Sequence, residues 1–123
     1  MPPPSPLPKF VYKILPEAPP QPLPSALPLS ELDAKDGFIH LSTAEQASAT
    51  AGRFFSAANK LWLLKIEHDR IEKNFKWEDS GSGCFPHVYG PMLGRDEIAD
   101  VKEFRKGDGE DWAVMLGEDQ WLS

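Results

Sequence analysis

The chain has a single cysteine, Cys84, among its 123 residues. No intrachain disulfide can form, and a reducing compartment is expected. It has no apolar run approaching the roughly 18 residues of a membrane-crossing helix, and its first residues lack the apolar core of a secretory signal. A cytoplasmic protein without a membrane span is the expectation. Basic residues are scarce too: 13 Lys and Arg stand against 19 Asp and Glu, for a net charge of −6. Gripping a nucleic-acid backbone draws on Lys and Arg, so nucleic acid is a disfavoured partner. His40, His68 and His87 are widely separated, and neither H-E-x-x-H nor C-x-x-C occurs, so no metal is expected. P-loop, G-x-G-x-x-G and G-x-S-x-G motifs are missing as well.

Proline is plentiful but confined, with eleven of its 13 copies before residue 29. Residues 1–8 read as a flexible arm. Residues 16–28 read as a connection that is neither helix nor central strand. The packed body is expected from residue 9 to about 104, with the remainder partly docked, so that residues 9–123 make one domain with a monomer as the default state.

Alternation of apolar and polar residues predicts strands at 10–15, 38–41, 61–67, 85–89 and 98–104. In the first, Val11, Lys13 and Leu15 share one face, and Phe10, Tyr12 and Ile14 the other. In the second, Phe38 and His40 face one way, Ile39 and Leu41 the other. The clearest helix spans 43–58, where Ala47, Ala51, Phe54, Phe55 and Ala58 form one apolar stripe. Ser42 with Glu45, or Thr43 with Gln46, fits a capping box, and Asn59 is a plausible stop. Ser30 is placed to cap a helical turn in 29–36, which Gly37 would close. Residues 79–83 read as a loop. Residues 112–121, with two tryptophans, are placed to fold back on the body. The order of elements is an α+β pattern with one main helix and short helical turns, without repeated βαβ units.

Several side chains are suited to chemistry. His40 precedes a helix N-terminus, where an anion would be favoured; the alternative is a half-buried His with one satisfied bond. Ser42 and Thr43 are cap candidates with a hydroxyl to spare for a ligand phosphate. Phe85, His87 and Tyr89 share a strand face suited to stacking a flat ring, or else form a core face with polar tips. Glu78, beside Trp77, is either an acid with a raised pKa, an anion opposite a developing cation, or a solvated carboxylate. Lys13 is within a strand that could bring it to a phosphate, with Tyr12 on the opposite face. His68 lies in a polar run and reads as solvated, and nothing near Cys84 suggests a reactive thiolate.

The runs Asp36-Gly37-Phe38-Ile39-His40-Leu41-Ser42-Thr43-Ala44-Glu45-Gln46, Lys76-Trp77-Glu78 and Phe85-Pro86-His87-Val88-Tyr89-Gly90 resemble the family called domain of unknown function 952. The resemblance covers residues 10 to about 104. That family is grouped with the ADP-ribosyltransferase-like fold, which implies a split, mostly antiparallel sheet around an NAD-shaped cleft. Ile39-His40-Leu41-Ser42 is also similar to a strand motif of tRNA 2′-phosphotransferases in the same fold group. The resemblance thus implies a small nucleotide ligand, NAD or an ADP-ribose-containing molecule. It implies that His40 and Ser42 line the cleft. Together with the residues read above, the expected site has His40 and Glu78 as catalytic residues, Glu78 by its nearness to these motifs, with Tyr12, Lys13, His40, Ser42, Thr43, Phe85, His87 and Tyr89 binding the ligand. The arginines that such transferases gather around the ribose carbon have no matching motif: Arg53, Arg70, Arg95 and Arg105 are scattered. A non-catalytic interaction module that keeps the fold is therefore the alternative. An RNA-directed phosphotransferase is a third reading, disfavoured by the net charge.

Overall fold

The computed structural model describes residues 8–24, 27, 31–71, 75–80, 83–89 and 94–122. Among them lie six strands: β1 (Phe10–Leu15), β2 (Ile39–His40), β3 (Lys60–Glu67), β4 (Phe75–Ser80), β5 (Gly83–Val88) and β6 (Ile98–Arg105). The helices are α1 (Glu31–Asp36), α2 (Ala44–Phe54), α3 (His68–Ile71) and α4 (Trp112–Gly117). The strands form two three-stranded sheets, ordered β1-β3-β6 and β2-β5-β4. Each described strand pair is antiparallel. The α+β expectation is met at this level. Most of the expected arm, residues 1–7, lies outside the described residues, as does Ser30.

The β1-β3-β6 sheet is buried on both faces. Tyr12, Ile14, Leu61, Leu63 and Phe104 turn one way and pack against Ala47 and Ala51 of α2 and Trp112 and Leu116 of α4. The small alanines let the helix lie close to the strands. Val11, Leu64 and Ile66 turn the other way, onto Ile39, Leu41 and Val88. The layers are thus helices, first sheet, second sheet. Among the described residues a single two-bond bridge stitches the sheets together: the Tyr12 and Ser42 backbones exchange N–H···O bonds of 2.7 and 2.8 Å.

Two expectations change. Residues 75–80 are a strand, because Phe75 and Trp77 face the core while Lys76 and Glu78 alternate with them. Ser80 pairs with Gly83, so Asp79, Ser80 and Gly83 belong to a hairpin and not to a loop; residues 81–82 lie outside the described residues. The C-terminal segment is also more than a partly docked tail. Trp112, Leu116 and Leu122 are core residues, and the Trp121 indole N–H donates to Asp100 at 2.8 Å.

Helix α2 starts with the capping box Thr43/Gln46. The Gln46 N–H donates to Thr43 Oγ1 (3.2 Å) and the Thr43 N–H to Gln46 Oε1 (3.1 Å). Thr43→Ala is expected to cost about 1 kcal/mol, read from the denaturant midpoint. The helix ends at Phe54, earlier than residue 58. Beyond it the Phe55 and Ala58 carbonyls accept from the Trp112 indole N–H at 3.1 and 3.0 Å.

Candidate functional site

Strand alternation gives the β2-β5-β4 sheet two unlike faces. Its inner face carries Ile39, Leu41, Val88, Phe75 and Trp77 into the core. Its outer face carries Phe38 and His40, then Phe85, His87 and Tyr89, then Lys76 and Glu78. His40 and His87 are directly opposed across the β2-β5 pair, and their ring centroids are 5.4 Å apart. The Phe38 ring lies over this pair, 4.7 Å from His40, 4.2 Å from His87 and 5.2 Å from Tyr89. The two imidazoles therefore lie side by side on one face. His40 remains 31 % exposed, whereas His87 is buried beneath Phe38.

Each imidazole is held by carboxylates. His87 Nδ1 lies 2.8 Å from Glu78 Oε1, and the Tyr89 hydroxyl donates to the same oxygen at 2.6 Å. These two hydrogen bonds hold the Glu78 carboxyl below its usual range, with the charges of His87 and Lys76 assisting. This corrects the reading of Glu78 as an acid with a raised pKa. Trp77 lies on the opposite strand face and cannot desolvate it; Glu78 stands ionised and 35 % exposed. The other oxygen, Oε2, has no partner among the described residues. Tyr89 is pushed up in turn by its bond to Glu78, by burial and by the Glu78 charge. The Lys76 ammonium stands 5.0 Å from the Tyr89 ring.

The His40 side of the face rests on Asp33, which the sequence reading passed over. Its side chain is 2 % exposed. It binds Lys13 Nζ at 2.6 Å, His40 Nδ1 at 2.6 Å and the His40 N–H at 3.2 Å. Burial pushes the Asp33 carboxyl up. The Lys13 charge and the bonds from Lys13 and His40 together outweigh that and hold it low. Lys13 also donates to the His40 carbonyl at 3.2 Å. The second ring nitrogen, His40 Nε2, meets Asp36 Oδ2 at 3.0 Å. A neutral imidazole has one N–H, so donating to both carboxylates takes both ring protons.

Not every expected site residue reaches this face. Tyr12 is fully buried in the helix-side core, its hydroxyl directed at the Trp121 carbonyl. Thr43 is committed to the cap. Ser42 is buried, with its backbone in the bridge to Tyr12. Phe85 is half-buried opposite Glu78, apart from the ring cluster. Lys13 arrives, but bonded to Asp33. His68 is not solvated: it is 6 % exposed and packs on Phe75 and Trp77. Cys84 is buried, and burial with the Asp79 charge pushes its thiol up, away from reactivity. Asp33, Asp36 and Phe38 complete the site. The one sequence signal for the first two was their position just before Gly37 and the His-bearing strand. Among the described residues no His, Cys, Asp and Glu cluster is spaced to hold a metal ion, and no helix is long and apolar enough to cross a membrane.

The family described as "Protein of unknown function (DUF952)" matches residues 22–101, a span holding His40, His87, Glu78 and Asp33. The chain belongs to the DUF952 family. Within solved structures this DUF952 protein is similar to CC0527 from Caulobacter crescentus. The crystal structure of CC0527 shares 34 % identity at a TM-score of 0.70, covering 88 % of this chain and 98 % of that one. Its solution NMR structure gives 33 % identity and a TM-score of 0.62, over 81 % and 88 % of the two chains. No curated protein matches the chain.

Proposed function

We propose that the outer face of β2-β5-β4 binds NAD or another ADP-ribose-containing nucleotide, and that its chemistry is attack at the nicotinamide ribose carbon, as in an ADP-ribosyl transferase or NAD glycohydrolase of the ADP-ribosyltransferase-like fold group. The observation that carries this reading is the ionised, half-exposed Glu78, fixed by His87 and Tyr89 beside Phe38 and His40. Loss of nicotinamide leaves positive charge on the ribose carbon. A fixed anion with one free oxygen stabilises that charge more than it stabilises the ground state. Phe38 and Tyr89 offer ring surface for the departing base, and His40 a donor for a ribose hydroxyl or a phosphate.

Calorimetry with NAD and ADP-ribose tests binding: His40→Ala is expected to keep the fold, at a lower thermal midpoint because Asp33 loses a partner, and to weaken both ligands at least about tenfold. Nicotinamide release tests chemistry: Glu78→Gln is expected to cost about 10²-fold or more in turnover. Equal affinities in wild type and His40→Ala, or none in either, reject the binding site.

A non-catalytic module on the same fold is the second reading, and the internal bonding of the site favours it. His40 already faces a carboxylate at each ring nitrogen. Three arginines have partners elsewhere: Arg53 lies against Phe54, Arg70 against Glu67 and the Asp96 carbonyl, and Arg105 against Glu103. Sustained nicotinamide release that disappears in Glu78→Gln excludes the module.

A further inference from the structure

The two carboxylates on His40 differ in kind. Asp33 is 2 % exposed and tied to Lys13 and the His40 backbone as well as the ring. Asp36 is 35 % exposed, and among the described residues the His40 ring is its only partner. Asp36 is also the last residue of α1, where the helix carbonyls point and a negative side chain is disfavoured. The helix stops immediately after it: Gly37 turns left-handed at φ 81° and its N–H returns to the Asp33 carbonyl at 3.0 Å. Among the described residues no other side chain holds Asp36, so a rotamer change suffices to release Nε2, the ring nitrogen that the buried Asp33 does not hold.

We propose that Asp36 is a built-in competitor for the anionic group of the ligand, occupying His40 Nε2 in the free protein and giving way to a phosphate oxygen on binding. The inference rests on the nucleotide reading of this face and names the end that takes the phosphates: the α1 side, with the Glu78 side left for the sugar and base. Asp33 stays in place throughout. It fixes the ring by Nδ1, so the nitrogen vacated by Asp36 already points at the incoming oxygen. The device also sets a selection rule. A neutral nucleoside, seated at the Glu78 side, brings no charged oxygen to Nε2 and binds with the Asp36 contact intact.

Calorimetry on the full chain with ADP-ribose, and with adenosine as the uncharged probe, tests this in wild type, Asp36→Asn and Asp36→Ala. Both substitutions are expected to tighten ADP-ribose by about tenfold, the scale of one charge-assisted bond at a half-exposed position, and to leave adenosine unchanged. Alanine removes any side-chain acceptor, so it repeats the gain should the asparagine amide oxygen still hold Nε2. ADP-ribose binding by the variants alone also supports the competitor. If wild type binds ADP-ribose and both variants bind it equally or more weakly, the competitor role is overturned and the nucleotide reading stands. A parallel gain for adenosine overturns it too, since the gain then does not come from an anion. No ADP-ribose binding by any of the three proteins overturns both.

Discussion

Replacing Trp112 by alanine is expected to remove about 3–5 kcal/mol of stability, the range for a buried Trp or Phe truncated in a packed core. Trp112 is 1 % exposed and lies between α2 and the β1-β3-β6 sheet, in contact with the cluster of Tyr12, Leu61, Leu63 and Phe104. The loss has two parts. The first is the void left by the indole, flanked by the rigid alanine face of α2. The second is the stranding of the Phe55 and Ala58 carbonyls, which share the indole N–H where α2 ends. Domains of this size hold about 5–15 kcal/mol in total, so the variant stands near the edge of folding. Urea titration measures it. Trp112→Phe separates the parts: it keeps most of the volume, loses the donor, and is expected to cost about 1–3 kcal/mol. A Trp112→Ala unfolding free energy within about 1 kcal/mol of wild type contradicts the placement of α4 in the core.

The second large effect is expected at Asp33. Asp33→Asn keeps the shape of the side chain and removes the charge that Lys13 and His40 share. Removing one partner of a buried pair costs about 3–5 kcal/mol. Lys13 is 12 % exposed and recovers a little hydration, which places the variant at the lower end, about 3 kcal/mol. The pH dependence has a definite sign. The folded Asp33 carboxyl is held below the 3.8 of a free aspartate. Its contribution is therefore complete above about pH 4 and is lost as pH falls through the lower, folded value. Wild type and Asp33→Asn should differ most near pH 6 and converge towards pH 2. A gap in unfolding free energy that stays constant over that range contradicts the ionic role.

The elements built on local signals were legible. The first and third strands, the capping box of α2 and the opposed faces of Phe38/His40 and Ile39/Leu41 all follow from a period of two or a cap motif within a few residues. The misreadings share a cause: each depended on a partner far away in the chain. Lys76-Trp77-Glu78-Asp79 looks like a charged approach to a loop until β5 is beside it. Then Trp77 is seen to face the core and Glu78 to face His87. Tyr12 and Lys13 are neighbours on opposite faces of a cleanly alternating strand, and the sequence offers both as ligand residues. Only the placement of α2 and α4 decides which of its faces lies in the core. Asp33 bonds Lys13 across 20 positions, and an acid in a short polar helix gives no hint of burial. Of the candidate site, His40, His87, Glu78 and Tyr89 were readable from their motifs. The acids that hold them were not.

The alternating β2-β5-β4 sheet separates two kinds of evolutionary freedom. Positions 39, 41, 75, 77 and 88 answer to the hydrocarbon interior, while 38, 40, 76, 78, 87 and 89 answer to whatever molecule is met outside. The outward surface can therefore change by editing every second letter of three short stretches while the inward set stays fixed. Residues 40 and 87 are bound to both sides, one holding the buried Asp33 and the other itself buried, so a library at 38, 76, 78 and 89 would vary the outward surface with the least disturbance of folding.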